Sequence, residues 1–489
     1  MSLNVIIISS EAAPFSKTGG LGDVVGNLPV ALRKLGCQVM LFLPYYRSTA
    51  EAYPDVEATG LTVVVHTAGR DVATQVLRAS HEGVPVYFIK CDEYYDRRYL
   101  YGTPEGDYFD NLERYAFFCR AALEALKARG FEPDVIHCND WQTGLIPAYL
   151  RDVYLHDPYF MKTATVFTVH NLAYQGVFGS ELYDRTGLSR ALFQMDGIEF
   201  WGNMNLLKAG LVYSDVITTV SETYGAEIQT AKFGCGLEGL LKNRRSDLFG
   251  IVNGVNYDEW DPAIDKLIPA NYSPDDLGPK AVCKKALLKE FGLSLKPDWP
   301  LAGMISRLVE QKGFDLLAKA AAEIVNLNMS LVILGSGDKK YQEQALALAK
   351  KHPKKIAVRI AFDNRLAHLV ESGCDLFLMP SKYEPCGLNQ IYSLKYGAIP
   401  VVMATGGLED TVIQYEGGAG TGFKFKKYTA KAFVDKIKEA LAVYKDKQAW
   451  AGLQRNAMRE DYSWERSARK YMDVYKAAHG RASVRLSKS

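Results

Sequence analysis

Two doubly wound α/β domains of similar size are what this sequence predicts, and three observations predict them. The chain has 489 residues, more than one ordinary core organises. Short, almost continuously apolar runs alternate with longer stretches of helical periodicity, the pattern of parallel strands covered on both faces. That alternation lapses once past the middle and then restarts.

In order, "LNVIIISS", "CQVMLFLP", "PVYFIKC", "PDVIHCND", "TATVFTVHN" and "SDVITTVSE" read as strands of the first sheet. "GDVVGNLPVALRKLG" and "YFDNLERYAFFCRAALEALKARG" read as helices between them, the first stopping at Gly36. From about Tyr257 to Pro300 the chain is rich in Pro, Asp and Lys and reads as a linker with one short helix, the domain boundary falling near Asn253 to Trp260. At "PLAGMISRL" the alternation resumes, with "MSLVILGSGD", "IAVRIAFD", "CDLFLMPSKYEP" and "IPVVMATGG" as further strands. Repeated strand–helix units imply parallel sheets, whose ligands sit outside the carboxyl ends of the strands. Two such sheets facing across a linker would make a cleft.

Composition narrows the function classes. A net charge of +2 argues against a nucleic-acid binder, and the basic end "RASVRLSKS" reads as a frayed terminus. No apolar run approaches the ~20 residues of a membrane span, and the opening "MSLNVIIISS" reads as a buried strand rather than a signal peptide. The eight cysteines are scattered without a C-x-x-C pair, so reduced thiols are expected, not a disulfide frame or zinc site. The expected location is cytoplasmic.

The residues that follow each strand carry the chemistry. After the first strand, Lys17-Thr18-Gly19-Gly20-Leu21-Gly22-Asp23 reads either as a tight strand–helix turn or as a loop whose bare backbone and lysine receive an anion. It is not a phosphate loop of the G-K-[ST] kind, because the lysine precedes the glycines. In "ISRLVEQKG", Arg307 and Lys312 could neutralise one phosphate group without a metal ion, or be two solvated surface charges. "VILGSGD" ends a strand with Gly335-Ser336-Gly337, a weak nucleotide signal on its own. Glu384, followed by Pro385, Cys386 and Gly387, stands before a helix starting near Gly387, where an acid can accept hydrogen bonds from hydroxyls. "ATGGLEDTV" offers another glycine turn. His137, inside an apolar run, reads as structural, whereas Asp140 and His170-Asn171 stand at strand ends.

Together "SKTGGLGDV", "HCNDWQTGLIPAYL", "FTVHNLAYQG", "VNGVNYDEWDP", "SRLVEQKGFDLL", "EPCGLNQIYSLKYGAIPVV" and "TGGLEDTV" resemble the bacterial glycogen synthases and plant starch synthases, the family-5 retaining glycosyltransferases of the GT-B fold. The resemblance spans nearly the whole chain. It implies a Rossmann-like acceptor-side domain over 1–253, a Rossmann-like nucleotide-sugar-binding domain over 254–461, and a helical tail over 462–489 that crosses back to the first domain. It implies transfer of glucose from ADP-glucose to the non-reducing 4-hydroxyl of glycogen or a malto-oligosaccharide with retention of configuration, and no metal or other cofactor. A UDP-glucose-preferring or dual-donor enzyme is the alternative, and a non-catalytic glucan- or nucleotide-binding protein the competing class.

By the same resemblance, Glu384, Arg307, Lys312 and His170 are catalytic. Lys17, Gly19, Gly20, Asp23, Asn253, Gly335, Cys386, Gly387, Leu388, Asn389, Tyr392, Thr405, Gly406 and Gly407 hold the donor. Tyr101, Asp140 and Asn171 hold sugar or acceptor. Two positions mark departures. Tyr392 stands where many retaining relatives have a second glutamate, as is usual in this family, and Asn389 stands where threonine is common, which bears on donor affinity.

Overall fold

The computed structural model describes residues 2–294, 296 and 299–486, with side chains as far as Ala482. The chain divides into two compact units: unit 1 comprises Met1–Val220, Gly225–Gly254 and Trp464–Ser489, and unit 2 comprises Ser221–Tyr224 and Val255–Ser463. Among the described residues no helix is long and apolar enough to cross a membrane.

Unit 1 begins with β1 (Asn4–Ile8), β2 (Gln38–Pro44), β3 (Glu57–Thr67), β4 (Arg70–His81) and β5 (Val84–Lys90). A ribbon of β6 (Gly102–Thr103) and β7 (Gly106–Asp107) precedes β8 (Val135–Asn139) and β9 (Ala164–Val169). Then come β10 (Val177–Gly179), β11 (Glu199–Phe200) and β12 (Asn203–Asn205), which form a separate small sheet, and finally β13 (Val216–Thr219) and β14 (Leu248–Gly250). The main sheet has the order β14-β13-β9-β8-β1-β2-β5-β4-β3. The six strands expected from sequence are its centre, and all pair in parallel. The edge differs from expectation: β3 and β4 are an antiparallel hairpin on β5. Their turn places Ala68 at φ 50° and Gly69 at φ 74°, the paired positive φ values of a tight hairpin.

The centre is buried on both faces of β1, since Val5, Ile6, Ile7 and Ile8 are all fully buried. Val5 and Ile7 share one core with Val24, Val25 and Leu28 of helix Gly20–Lys34 and with Tyr471, Tyr475 and Ala478 of helix Trp464–Leu486. Helix Gly20–Lys34 starts at Gly20, two residues earlier than the sequence suggests. The basic end is not frayed at its first residue: Arg481 donates to Asp247 Oδ1 at 2.6 Å. Ala482 is buried in the same core, and the rest of that stretch lies outside the described side chains.

Unit 2 is built on one parallel sheet of β15 (Leu301–Ile305), β16 (Ser330–Gly335), β17 (Ile356–Ile360), β18 (Leu376–Met379), β19 (Ile399–Met403) and β20 (Phe423–Phe425), in the order β17-β16-β15-β18-β19-β20. The segment expected to be a linker is instead part of this unit. Trp260, Asp265, Ile268 and Tyr272 are buried, and the single helix Lys280–Glu290 packs Leu287 and Leu288 into the core. The Trp260 ring lies between His368, at 3.8 Å, and Tyr392, at 3.9 Å between ring centroids. Asp265 joins this packing by accepting from Tyr396 at 2.6 Å and contacting His368 Nδ1 at 2.8 Å. An apolar run is therefore not needed to dock a segment when its few aromatic residues are this well matched.

Candidate active site

In unit 2 the carboxyl ends of β15, β16 and β18 are drawn together by close backbone approaches that only glycine permits. A Cβ on Gly335 would lie 1.9 Å from the Ser306 carbonyl oxygen, so the chain leaving β15 runs directly over the end of β16. Leu308 then pairs with Gly337. Next, the short turn Glu310–Lys312 ends at Gly313, which has φ 79° and whose Cβ would meet the Pro380 carbonyl at 2.0 Å. Lys382 N–H donates to the Gln311 carbonyl at 2.8 Å, fastening that turn to the loop after β18.

This fastening brings Lys312 to Glu384. Lys312 Nζ lies 2.6 Å from Glu384 Oε2, which also accepts from Ser381 Oγ at 3.1 Å. Glu384 is 4% exposed and Lys312 is mostly buried, so this is a charge-assisted pair with little water around it. Oε2 is thus committed, and Oε1 remains as an acceptor. Arg307 is exposed, and its guanidinium has no ion pair among the described residues.

The glycine turn after β19 closes onto the same loop. Gly407 N–H donates to the Glu384 carbonyl at 3.0 Å, and Cβ atoms on Gly406 and Gly407 would meet the carbonyl oxygens of Glu384 and Cys386 at 1.9 and 2.0 Å. Thr405 is buried and precedes helix Gly406–Thr411. The helix after Glu384 starts at Asn389, two residues later than expected. Gly387 has φ 75° at its entrance. Asn389 donates from Nδ2 to the Ile305 carbonyl at 2.5 Å, so its amide ties this helix to the end of β15. Tyr392 is occupied by the Trp260 stack. Leu388 precedes Asn389 with φ −117° and ψ −34°.

Sequence reasoning missed Gln390. This fully buried amide donates to the carbonyls of Cys386 (2.9 Å) and Gly387 (3.0 Å) and to Thr411 Oγ1 (3.1 Å), and so sets the shape of the Pro-Cys-Gly turn.

In unit 1, Lys17 and Asp23 meet each other, with Lys17 Nζ 2.6 Å from Asp23 Oδ1. Burial raises the Asp23 pKa against the pull of that lysine. Gly19 and Gly20 are exposed, and a Cβ on either would meet nothing within 4 Å. The loop is held from below by Glu11, a second residue the sequence reading passed over. Buried Glu11 accepts from Thr18 N–H, from Thr18 Oγ1 at 2.6 Å and from Tyr101 OH at 2.5 Å. Glu11 stands three residues beyond β1, so the strand-end rule alone could have found it.

Asp140 and His170 form one constellation. Asp140 has φ 55°, uncommon for a residue with a side chain, and its carboxylate accepts from the backbone N–H of His170 at 2.8 Å and from that of Asn171. Burial, with the Glu11 charge adding to it, pushes its pKa up to about 7. His170 Nε2 lies 3.0 Å from Asn139 Oδ1, while Asn139 Nδ2 donates to the Ile8 carbonyl. Nε2 therefore carries the proton, and Nδ1 presents a lone pair. Burial holds the His170 pKa down to about 3, so the ring is neutral. His137 is structural, as expected, between Tyr475 OH at 2.8 Å and Thr168 Oγ1 at 2.6 Å. Asn171 turns its side chain to the Ala173 N–H at 3.1 Å. Asn253 is buried, and its Oδ1 has no hydrogen-bond partner among the described residues. Among those residues no group of three or more His, Cys, Asp or Glu is placed to hold a metal ion.

Comparison with known proteins matches residues 4–243 to the starch synthase catalytic domain and residues 289–456 to the group 1 glycosyl transferases. The chain is 47% identical over 478 residues to a glycogen synthase of Koribacter versatilis, covering 97% of this chain and 98% of that one. It is 46% identical to glycogen synthase 2 of Geobacter sulfurreducens, covering 97% and 99%. Among solved structures, the catalytic domain of starch synthase IV from Arabidopsis thaliana, bound to ADP and acarbose, superposes with a TM-score of 0.90 at 32% identity, covering 98% of this chain and all of that one. Sucrose-phosphate synthase from Thermosynechococcus elongatus, at 19% identity and a TM-score of 0.59, shares the fold. With nearly half its residues identical to such enzymes along almost its whole length, the chain belongs to the glycogen and starch synthase family, glycosyltransferases of the GT-B fold.

Proposed function

We propose that this enzyme is a glycogen synthase that moves glucose from ADP-glucose to the 4-hydroxyl at the non-reducing end of an α-1,4-glucan, keeping the α configuration. The observation that carries the reading is the Lys312–Glu384 pair with Arg307 unpartnered beside it in sequence at the end of β15. The glucosyl–diphosphate bond is already activated, so the catalytic demand is to stabilise departing negative charge and an oxocarbenium-like sugar. Arg307 brings a full positive charge, and Lys312 keeps donors beyond the one given to Glu384. Glu384 Oε1 accepts from glucose hydroxyls. These fixed cations do the work a divalent ion does elsewhere, and we propose that no metal is required.

In unit 1, neutral His170 and the Asp140 carboxylate offer hydrogen bonds to an uncharged sugar, while the Lys17–Gly20 loop is an anion-receiving turn whose lysine exchanges Asp23 for phosphate. Tyr101, Asn171 and the unpartnered Asn253 Oδ1 supply further donors and acceptors. ADP as the leaving group is supported by the ADP held in the Arabidopsis relative. We place the enzyme in the cytoplasm, where its eight scattered cysteines stay reduced.

Initial rates on glycogen with ADP-glucose and UDP-glucose test this, with the anomeric form of the new bond read by NMR. The expected result is an α-linkage and a kcat/KM for ADP-glucose higher by about tenfold or more. Preference for UDP-glucose would correct the donor, and no transfer from either would overturn the reading.

A further inference from the structure

Between β11 and β12 the chain makes a two-residue turn, Trp201-Gly202, closed by the pairing of Phe200 with Asn203. Both turn residues have positive φ, 53° at Trp201 and 80° at Gly202. Such a turn favours Asn or Gly at its first position, because an L side chain is strained there, and a bulky aromatic is a genuine outlier. Trp201 recovers nothing by burial: it is 82% exposed. Phe109 and Phe362 are equally exposed, yet neither takes a left-handed backbone. Folding alone therefore gives no reason for an indole at this position.

The ring nevertheless has neighbours. Phe200 flanks it at 6.3 Å between centroids, and a Cβ on Gly236 would lie 3.0 Å from the Phe200 ring and 3.6 Å from Trp201 Nε1. The neighbouring Cys235 also has positive φ, at 51°. The turn is fastened to the loop that carries His170 and Asn171. Gln175 Nε2 donates to the carbonyls of Leu172 at 3.2 Å and Cys235 at 3.1 Å, and Gln175 Oε1 accepts from Asn205 of β12 at 2.6 Å. Tyr174, on the same loop, is half exposed.

We infer that Trp201 is a stacking platform for an α-glucan chain, an acceptor-polymer contact outside the residues that handle the transferred glucose. The flat, exposed face of an indole matches the C–H face of a pyranose ring, and an extended polymer rewards a contact at a distance from its reacting end. The choice of ligand rests on the glucan-synthase reading above.

Affinity electrophoresis in glycogen-containing gels tests the platform, alongside thermal unfolding of Trp201→Asn and Trp201→Tyr. Glycogen is expected to retard the wild type. Trp201→Asn should bind glycogen about tenfold more weakly, the weight of one aromatic contact, with a thermal midpoint unchanged or raised because Asn suits the turn. Trp201→Tyr should restore most of the binding. Tryptophan emission of the wild type should shift with maltoheptaose, and that shift should shrink in Trp201→Asn. Equal retardation of wild type and Trp201→Asn would overturn the inference, as would a wild type that glycogen does not retard. So would a lowered midpoint in Trp201→Asn, or light scattering showing that the residue holds two copies together. Binding is read without catalysis, so a wild type that is retarded but transfers no glucose would refute the function and leave the platform standing.

Discussion

At the strand ends of unit 2 stand Arg307 and Lys312, with Glu384 pairing only the second. At those of unit 1 stand Asp140, whose pKa burial lifts to about 7, and His170, which burial holds neutral with a pKa of about 3. One set of residues concentrates positive charge, and the other replaces charge by directed hydrogen bonds. Their glycines differ in the same sense. Gly406 and Gly407 leave no room for a Cβ, whereas Gly19 and Gly20 look onto open space. Charged diphosphate and uncharged sugar make different demands: on the proposed reading the unit 2 cations meet the first and the Asp140–His170 constellation the second, with the Lys17 loop of unit 1 also receiving phosphate.

Removing the cations should break this contrast most strongly. Arg307→Ala should lower kcat by on the order of 10²–10³ with an unchanged unfolding midpoint, since the side chain has no partner to abandon. Lys312→Ala should lose as much activity and, in addition, roughly 3 kcal/mol of stability, because Glu384 is left buried beside Ser381 alone. A folded Arg307→Ala with normal kcat would show that residue to be an ordinary surface charge.

The glycines sharpen the comparison in stability. Gly407→Ala should cost about 1–3 kcal/mol, as overpacking against backbone does. Gly19→Ala should stay within about 0.5 kcal/mol of the wild type and change activity only. Denaturant unfolding of the two variants decides it, and equal losses would mean that the Gly19 loop is as constrained as the Cys386 turn.

The contrast also appears in pH dependence. The folded-state pKa of Asp140 is raised above its unfolded value, so its contribution to stability is present below about pH 4 and lost as pH rises through about 7. Asp140→Asn removes that loss. The midpoint difference, variant minus wild type, should therefore be more positive at pH 8 than at pH 5. A difference that does not move with pH would place the Asp140 titration elsewhere.

Much of this was legible in the sequence, and what was hidden has a common cause. The six recognised strands of unit 1 are the buried parallel centre of its sheet, where both faces demand apolar residues. The missed strands β3 and β4, at the edge of the sheet, mix exposed polar and buried apolar positions and so break the continuous run. β14 and β20, at sheet edges, are only three residues long, too short to show a period. Arg307, Lys312 and Glu384 were found because charge after a strand is a local signal. Asn139 and Gln390 were not, because their meaning lies in what they touch, His170 and the Cys386 turn, whereas Glu11, just past β1, gave the same local signal and was passed over. Trp260 was hidden differently, by Pro- and Asp-rich neighbours that resemble a linker while the indole itself is stacked between two rings.

The central claim is that Arg307 and Lys312 supply, from the chain itself, the positive charge that a departing diphosphate needs. The most direct measurement is the initial rate of glucose transfer from ADP-glucose to glycogen in excess EDTA. Most of the rate should survive, and added magnesium should change it little. A rate that collapses in EDTA and returns with magnesium would contradict it.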